Sequence, residues 1–257
     1  MIDKARLRRS FAAAAAGYDA AAAVQREVAA RLLAGLPAMA DVTNLLDLGC
    51  GTGHGLSLLA ERFPGRQPLA VDFALPMLAG LAAPRLCADA EALPLCDASI
   101  DLVWSNLTLQ WCDAPRFFAE VARVLRRGGR LAASTLGPGT FAELRRAFAG
   151  VDAYRHTLAF ASAEQLAAAL AGAGLSLCAL DTVSLTRRHA DLAGLLAEVR
   201  GVGANRVTGP GARRGLMGRA ARRRFEAAWE EMREGGALPL SYEVIFLHAE
   251  KQAIRMS

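Results

Sequence analysis

The sequence predicts an α/β protein of Rossmann-like type: a seven-stranded, mostly parallel sheet with helices on both faces, an N-terminal helix and helical insertions. Three observations predict it. A glycine-rich turn follows a short apolar run at Leu45–Gly55 (LLDLGCGTGHG), strand-like and helix-like segments alternate from residue 44 to 136, and acidic residues close successive apolar segments at Asp72 and Asp89. Such alternation implies parallel strands joined by crossover helices, with ligands at the carboxyl ends of the strands.

Along the chain, residues 3–35 are Ala-rich, with Val24, Val28, Leu32 and Leu33 at roughly helical spacing, and the spacing predicts one helix ended by Pro37. Strand one spans 44–49. A helix over 53–63 carries Leu56, Leu59 and Phe63 on one face and stops at Pro64-Gly65. Strand two, Leu69-Ala70-Val71, ends at Asp72, and a helix starts near Pro76, a residue suited to a first helical turn. A short strand at 85–88 precedes Asp89. Strand four runs from Ser99 to Asn106, a helix spans 115–125, and strand five is Arg130 to Leu136 after Gly128-Gly129. Helices at 140–149 and 162–171, a strand at 175–185, a mostly helical stretch at 191–233 broken by the Gly-rich 201–211, and an apolar, internal strand at 241–248 complete the reading.

The chain has 257 residues, 53% of them hydrophobic, which suffices for one large α/β domain. No run of about 18 apolar residues lacks charge, so no membrane span is expected. The Ala-rich start has no signal-peptide core, and a cytoplasmic protein is expected. Cysteines 50, 87, 96, 112 and 178 are scattered without a CxxC pair, and histidines 54, 156, 189 and 248 lack ligand spacing, so reduced thiols and no metal are expected. Of the 30 basic residues only Lys4 and Lys251 are lysines, and the net charge is +5. Arg213, Arg214, Arg219, Arg222, Arg223 and Arg224 lie close together, as a solvated helix face or as a surface for an acidic partner.

Glycines 49, 51, 53 and 55 let a backbone approach a ligand closely. The pattern is not the GxGxxG dinucleotide fingerprint, because residue 54 is His. Asp47, two residues before the first glycine, would repel a pyrophosphate and can accept from an ammonium group. Asp72 can take both hydroxyls of a ribose, Phe73 can pack on a base, Asp89 can accept from an adenine amino group, and Asn106 to Gln110 would line the space beneath.

These residues resemble the first motifs of class I S-adenosylmethionine methyltransferases over 45–136. The wider chain resembles the malonyl-acyl-carrier-protein O-methyltransferase family. SFAAAAAGYDAAAAVQREVA (10–29), CADAEALPLCDASIDLVWSNLTLQWCDAP (87–115), STLGPGTFAELRRAF (134–148), GVGAN (201–205) and LPLSYEVIF (238–246) carry that resemblance over nearly the whole chain. It implies one methyltransferase domain over 1–257. Within it, 1–38 would be a helical lid, 44–136 the cofactor core, and 137–172 and 186–237 substrate- and carrier-binding insertions. It also implies cofactor contacts at Asp47, Gly49, Cys50, Gly51, Asp72, Phe73, Met77, Asp89, Ala90 and Asn106. Tyr18 and Gln110 would act at the reacting carboxylate, and Trp111, His156, Arg145 and Arg155 would contact substrate. Arg213, Arg214, Arg222 and Arg223 would dock an acidic acyl-carrier protein. One position departs from the family pattern: Leu158 stands where the family usually has Asn.

The implied reaction moves a methyl group to a malonyl carboxylate. That nucleophile is ionised at pH 7 and needs no general base, so rate comes from in-line positioning. Two other readings stay open: a small-molecule methyltransferase with another acceptor, and a cofactor-binding assembly factor or hydroxylase-like protein. A nucleic-acid methyltransferase is disfavoured, because the end of strand four reads Asn106-Leu107-Thr108-Leu109 and lacks an Asn/Asp-Pro-Pro-aromatic motif. No nucleic-acid or membrane partner is expected, and the oligomeric state is left open, compatible with a monomer.

Overall fold

Apolar residues at alternate positions of one strand face opposite sides of a sheet, and here both sides are covered. Leu46, Leu48, Val103, Leu131, Ala133, Ile245 and Leu247 enter one core, whereas Leu45, Leu102, Trp104, Ala132, Leu136, Val244 and Phe246 enter the other. The computed structural model describes residues 3–39, 42–201 and 217–252. Its strands are β1 (Leu45–Leu48), β2 (Leu69–Asp72), β3 (Arg85–Cys87), β4 (Ile100–Asn106), β5 (Leu125–Leu136), β6 (Leu175–His189) and β7 (Leu238–Lys251). They form one seven-stranded sheet in the order β3-β2-β1-β4-β5-β7-β6. The first five pair in parallel, and β7 runs antiparallel between β5 and β6. The mostly parallel sheet and its internal last strand are as the sequence predicts.

The strand order reverses at β1, whose Asp47 pairs with Ala70 of β2 on one side and Trp104 of β4 on the other. The crevice above that reversal is where open α/β sheets receive ligands. Helices α4 (His54–Arg62), α5 (Ala114–Val124), α6 (Ala142–Ala149), α7 (Ala163–Gly172), α8 (Leu192–Gly201) and α9 (Arg219–Glu231) flank the sheet. Local signals set their starts: Asp113 caps α5 at Arg116 N, and Ser162 and Gln165 form a reciprocal capping box on α7.

Three expectations change. The single helix expected over 3–35 is three, α1 (Lys4–Ala14), α2 (Tyr18–Ala21) and α3 (Ala23–Ala34). It breaks at a 3-10 turn over Ala15–Gly17 and at Ala22, because Gly17 is a poor helix former and leaves helical geometry at φ −113°, ψ 5°. The helix expected near Pro76 is one 3-10 turn, Leu75–Leu78, and Gly80 and Pro84 keep it from extending. Strands β5, β6 and β7 are longer than expected: β5 begins at Leu125, where it pairs with Ile100, and β6 and β7 pair with each other from Leu175↔Lys251 to His189↔Leu238. Among the described residues, no helix is long and apolar enough to cross a membrane.

Candidate active site

The glycine turn works through its backbone. Gly49, Gly51 and Gly53 have φ of 77°, 54° and 96°, a region costly for side chains. The amides of Gly49 and Cys50 both donate to Val71 O at 2.7 and 3.0 Å, which folds the turn against the end of β2. A Cβ on Gly49 would stand 2.0 Å from Thr108 Oγ1, so the turn and the segment after β4 touch only because residue 49 has none. Asp72 ties the same region together: Oδ2 accepts from Gly51 N at 3.1 Å and Oδ1 from Ala74 N at 2.8 Å. Burial raises its pKa against the pull of those amides.

A cleft of about 950 Å³, open mouth included, runs over the carboxyl ends of the strands. Gly49, Gly51, Asp72, Phe73, Met77, Asp89 and Ala90 line one part of it. Asn106, Gln110, Trp111, Tyr18 and Tyr242 line the rest. A second cavity of about 850 Å³ adjoins it, sharing Tyr18, Gln25, Gly49, Gly51 and Asn106 and adding Asp47, Cys50 and Trp104. Asp47 Oδ2, Trp104 Nε1 and Gln25 Oε1 are buried there without hydrogen-bond partners. Such a group costs about 1–3 kcal/mol when left unsatisfied. A Cβ on Gly55 would lie 2.5 Å from Asp47 Oδ2 and 3.1 Å from Trp104 Nε1, so the glycine preserves room beside both atoms. Burial, and then the charge of Asp72, push Asp47 up to about 8.

The N-terminal segment closes the cleft. Lys4 Nζ donates to Asp89 Oδ1 and Oδ2 at 2.8 and 2.7 Å and pairs with Glu91 at 2.7 Å. Phe11 meets Phe73 and Trp111 edge-on, with ring centroids 5.9 and 5.5 Å away. The carboxylate expected to meet an adenine amino group therefore holds the N-terminal segment: burial opposes the Asp89 charge, but Lys4 and the Glu91 amide outweigh it and lower the pKa. Tyr18 lies beside the turn, 3.6 Å from where a Gly51 Cβ would be. Burial and the charges of Asp72 and Asp19 push its hydroxyl up to about 12, so it stays a donor at neutral pH.

Gln110 and Asn106 are held by their neighbours. Gln110 Nε2 donates to Leu107 O at 2.6 Å and its Oε1 accepts from Thr135 Oγ1 at 3.2 Å. Asn106 Nδ2 donates to Gln25 O and its Oδ1 accepts from Ser134 Oγ. Behind Leu136 and Tyr242, which line the cleft, distant segments join. Gly137 N donates to Glu243 O, Phe141 N donates to Ser241 O, and Ser241 Oγ donates to Glu143 at 2.6 Å. Tyr242 Oη donates to Glu198 at 2.7 Å, and Glu198 also faces His189 at 3.2 Å.

Three expected substrate contacts stand elsewhere, outside both cavities. Arg145 donates to Thr140 O and Pro138 O, pinning the loop before α6. His156 stacks on Phe148 at 3.3 Å and pairs with Asp152 at 2.7 Å, as a packing group under α6. Arg155 is exposed. Leu158 likewise lies outside both cavities. Arg222 and Arg223 are exposed on α9, whereas Arg213 and Arg214 lie outside the described residues, as does GVGAN beyond Gly201. Sequence reasoning missed Lys4, Phe11, Gln25 and Tyr242 as cleft residues. Phe11, Tyr18 and Gln25 stand at intervals of seven, two helical turns, which is the available signal.

The sheet order and its strand-tip cleft define a class I, S-adenosylmethionine-dependent methyltransferase, and residues 46–133 match the family model described as "Methyltransferase domain". The crystal structure of a candidate methyltransferase from Bacillus halodurans C-125 superimposes with a TM-score of 0.62, covering 88% of this chain and 99% of that one at 16% identity. The malonyl-[acyl-carrier protein] O-methyltransferase of Dechloromonas aromatica (strain RCB) is 45% identical over 250 residues, 96% of this chain and 95% of the relative. The biotin biosynthesis bifunctional protein BioHC of Cellvibrio japonicus (strain Ueda107) is 43% identical over 96% of this chain and 50% of that protein. The chain belongs to the malonyl-[acyl-carrier protein] O-methyltransferase family.

Proposed function

We propose that this protein transfers a methyl group from S-adenosylmethionine to the free carboxylate of a malonyl group on acyl-carrier protein, an early step of biotin synthesis. The observation that carries the reading is the pairing of two unlike ends in two adjoining cavities. One end has the buried, unpartnered Asp47 carboxylate beside the gap at Gly55. The other has the Tyr18 hydroxyl. The cofactor would span both cavities: Asp47 would accept from its ammonium group, Asp72 from the ribose hydroxyls, and Phe73, Met77 and Ala90 would pack on the adenine. When bound, it supplies an electrophilic methyl carbon on a sulfonium.

The chain's own residues do the rest. Among the described residues lining the cleft that holds Asp72, Tyr18 and Gln110 there is no histidine. A carboxylate with a pKa near 4 needs none, being ionised at pH 7. Tyr18 donates its O–H to that carboxylate and orients it, while Gln110, held by Leu107 and Thr135, presents a fixed wall. The lid formed by Lys4, Leu7 and Phe11 excludes water. A dry site favours a reaction that neutralises an anion and a cation. Residues 137–172 and 186–237 serve substrate and carrier, and exposed Arg222 and Arg223 steer the acidic carrier protein.

Labelled-cofactor transfer to malonyl-carrier protein, malonyl-coenzyme A and free malonate tests this. Ester formation fastest on the carrier is expected. Cofactor binding without transfer to any of the three overturns the acceptor assignment.

A further inference from the structure

Gln25 of α3 stands where the two cavities join and lines both, as Tyr18 does. Its backbone carbonyl accepts from Asn106 Nδ2 at 3.0 Å, which ties it to the tip of β4. Its side chain divides in two. The Oε1 atom is buried and has no partner. The Gln25 side chain shares both cavities with Tyr18 and works against the burial and the carboxylate charges that raise that hydroxyl's pKa. Oε1 accepts from no group, the Tyr18 hydroxyl included, so the end of the amide left to meet Tyr18 is the donor Nε2. Because Oε1 takes no proton from it, Tyr18 keeps its own O–H to donate into the cleft.

A buried acceptor without a donor is costly, and a native fold that retains one invites a ligand to satisfy it. Asp47 Oδ2, in the same cavity, is a second such acceptor. An ammonium group carries three donors and can serve both. We propose that Gln25 is a positioning residue that links the two ends of the cleft: Oε1 accepts from the ammonium group of the bound cofactor, and Nε2 aims the Tyr18 hydroxyl at the acceptor carboxylate. This rests on the functional reading above. It adds that cofactor binding and acceptor orientation pass through one side chain.

The test uses the full chain with Gln25→Met, Tyr18→Phe and the double variant. Methionine keeps the side chain's length and removes both polar groups. Calorimetric affinity for S-adenosylmethionine, measured without acceptor, is expected to weaken about tenfold or more in Gln25→Met, the loss of a hydrogen bond to a charged donor. The melting temperature of the ligand-free variant should not fall, because an unsatisfied buried acceptor has gone. In turnover, Gln25→Met and Tyr18→Phe should each lower kcat, and the double variant should lose little beyond Tyr18→Phe alone. Cofactor affinity within about twofold of wild type, or kcat losses that multiply in the double variant, overturns the proposal. Failure of the acceptor assignment looks different: wild type would leave malonyl-carrier protein unmethylated. That result removes the Tyr18 half, and the calorimetric half then stands or falls alone.

Discussion

The two ends of the cleft are built by different means. The cofactor end is made of short segments at neighbouring strand tips, and its working parts are backbone: left-handed glycines, amides folded onto Val71, and a carboxylate, Asp72, that accepts from two turns at once. The acceptor end is made of side chains that meet across long stretches of chain. Thr140 Oγ1 donates to Glu243 O from about a hundred residues away, Ser241 Oγ donates to Glu143, and Tyr242 Oη donates to Glu198. Backbone geometry depends on residue type at fixed spacing, so the first end survives as a motif. The second depends on which strand lies beside which. That difference predicts where substitutions will act.

The largest effect should come from the cofactor end. Gly49→Ala puts a Cβ 2.0 Å from Thr108 Oγ1 at a φ of 77°. We expect calorimetry to show no cofactor binding, with circular dichroism still native in shape. Retained binding would mean that the turn is less constrained than its contacts say. Next is Glu198→Ala, which leaves the Tyr242 hydroxyl without its acceptor. Losing a hydrogen bond to a charged group costs about 1.5–3 kcal/mol, so acceptor KM should rise and the melting temperature should drop by several degrees. Cofactor affinity should hold, and an equal loss there would erase the division between the two ends.

Asp47 gives a proton readout. Its pKa of about 8 lies above the unfolded value, so the folded state holds a proton that the unfolded chain has released between roughly pH 4 and 8. This group's contribution to stability therefore declines as pH rises through that window, and Asp47→Asn should flatten the slope in denaturant titrations. Because an ammonium partner requires the carboxylate, cofactor binding at pH 7 should release close to one proton, visible as a buffer-dependent heat in calorimetry. Asp47→Asn should abolish that release. The smallest effect belongs to the surface: Arg222→Glu with Arg223→Glu should raise KM for malonyl-carrier protein a few-fold and blunt its salt dependence, and leave malonyl-coenzyme A turnover alone. Equal losses on both substrates would count against carrier docking at α9.

Much of the fold is legible because its signals are local. The apolar run in β4 and the capping residues Asp113 and Ser162 depend on near neighbours. The breaks at Gly17 and Ala22 were less legible, since an Ala-rich stretch reads as helix until packing demands a bend. At the site, every residue expected near the cofactor lines one of the two cavities. The expected substrate contacts divide: Trp111 lines the cleft, whereas Arg145 and His156 spend their polar groups on Pro138, Thr140 and Asp152. Proximity in sequence to the insertion could not reveal those partners.

By itself the sequence determined the glycine turn, the acidic strand tips and the layered fold, because each follows from conformational limits and periodicity within a few residues. Only the tertiary structure decided that Lys4 would claim both oxygens of Asp89, that β7 would bring Tyr242 to the cleft wall, and that Gln25 and Asp47 would keep buried oxygens unpaired. The reason is physical. A partner for a polar group is chosen by whatever the packed chain places within about 3 Å of it, and that choice is made by sheet order and helix docking.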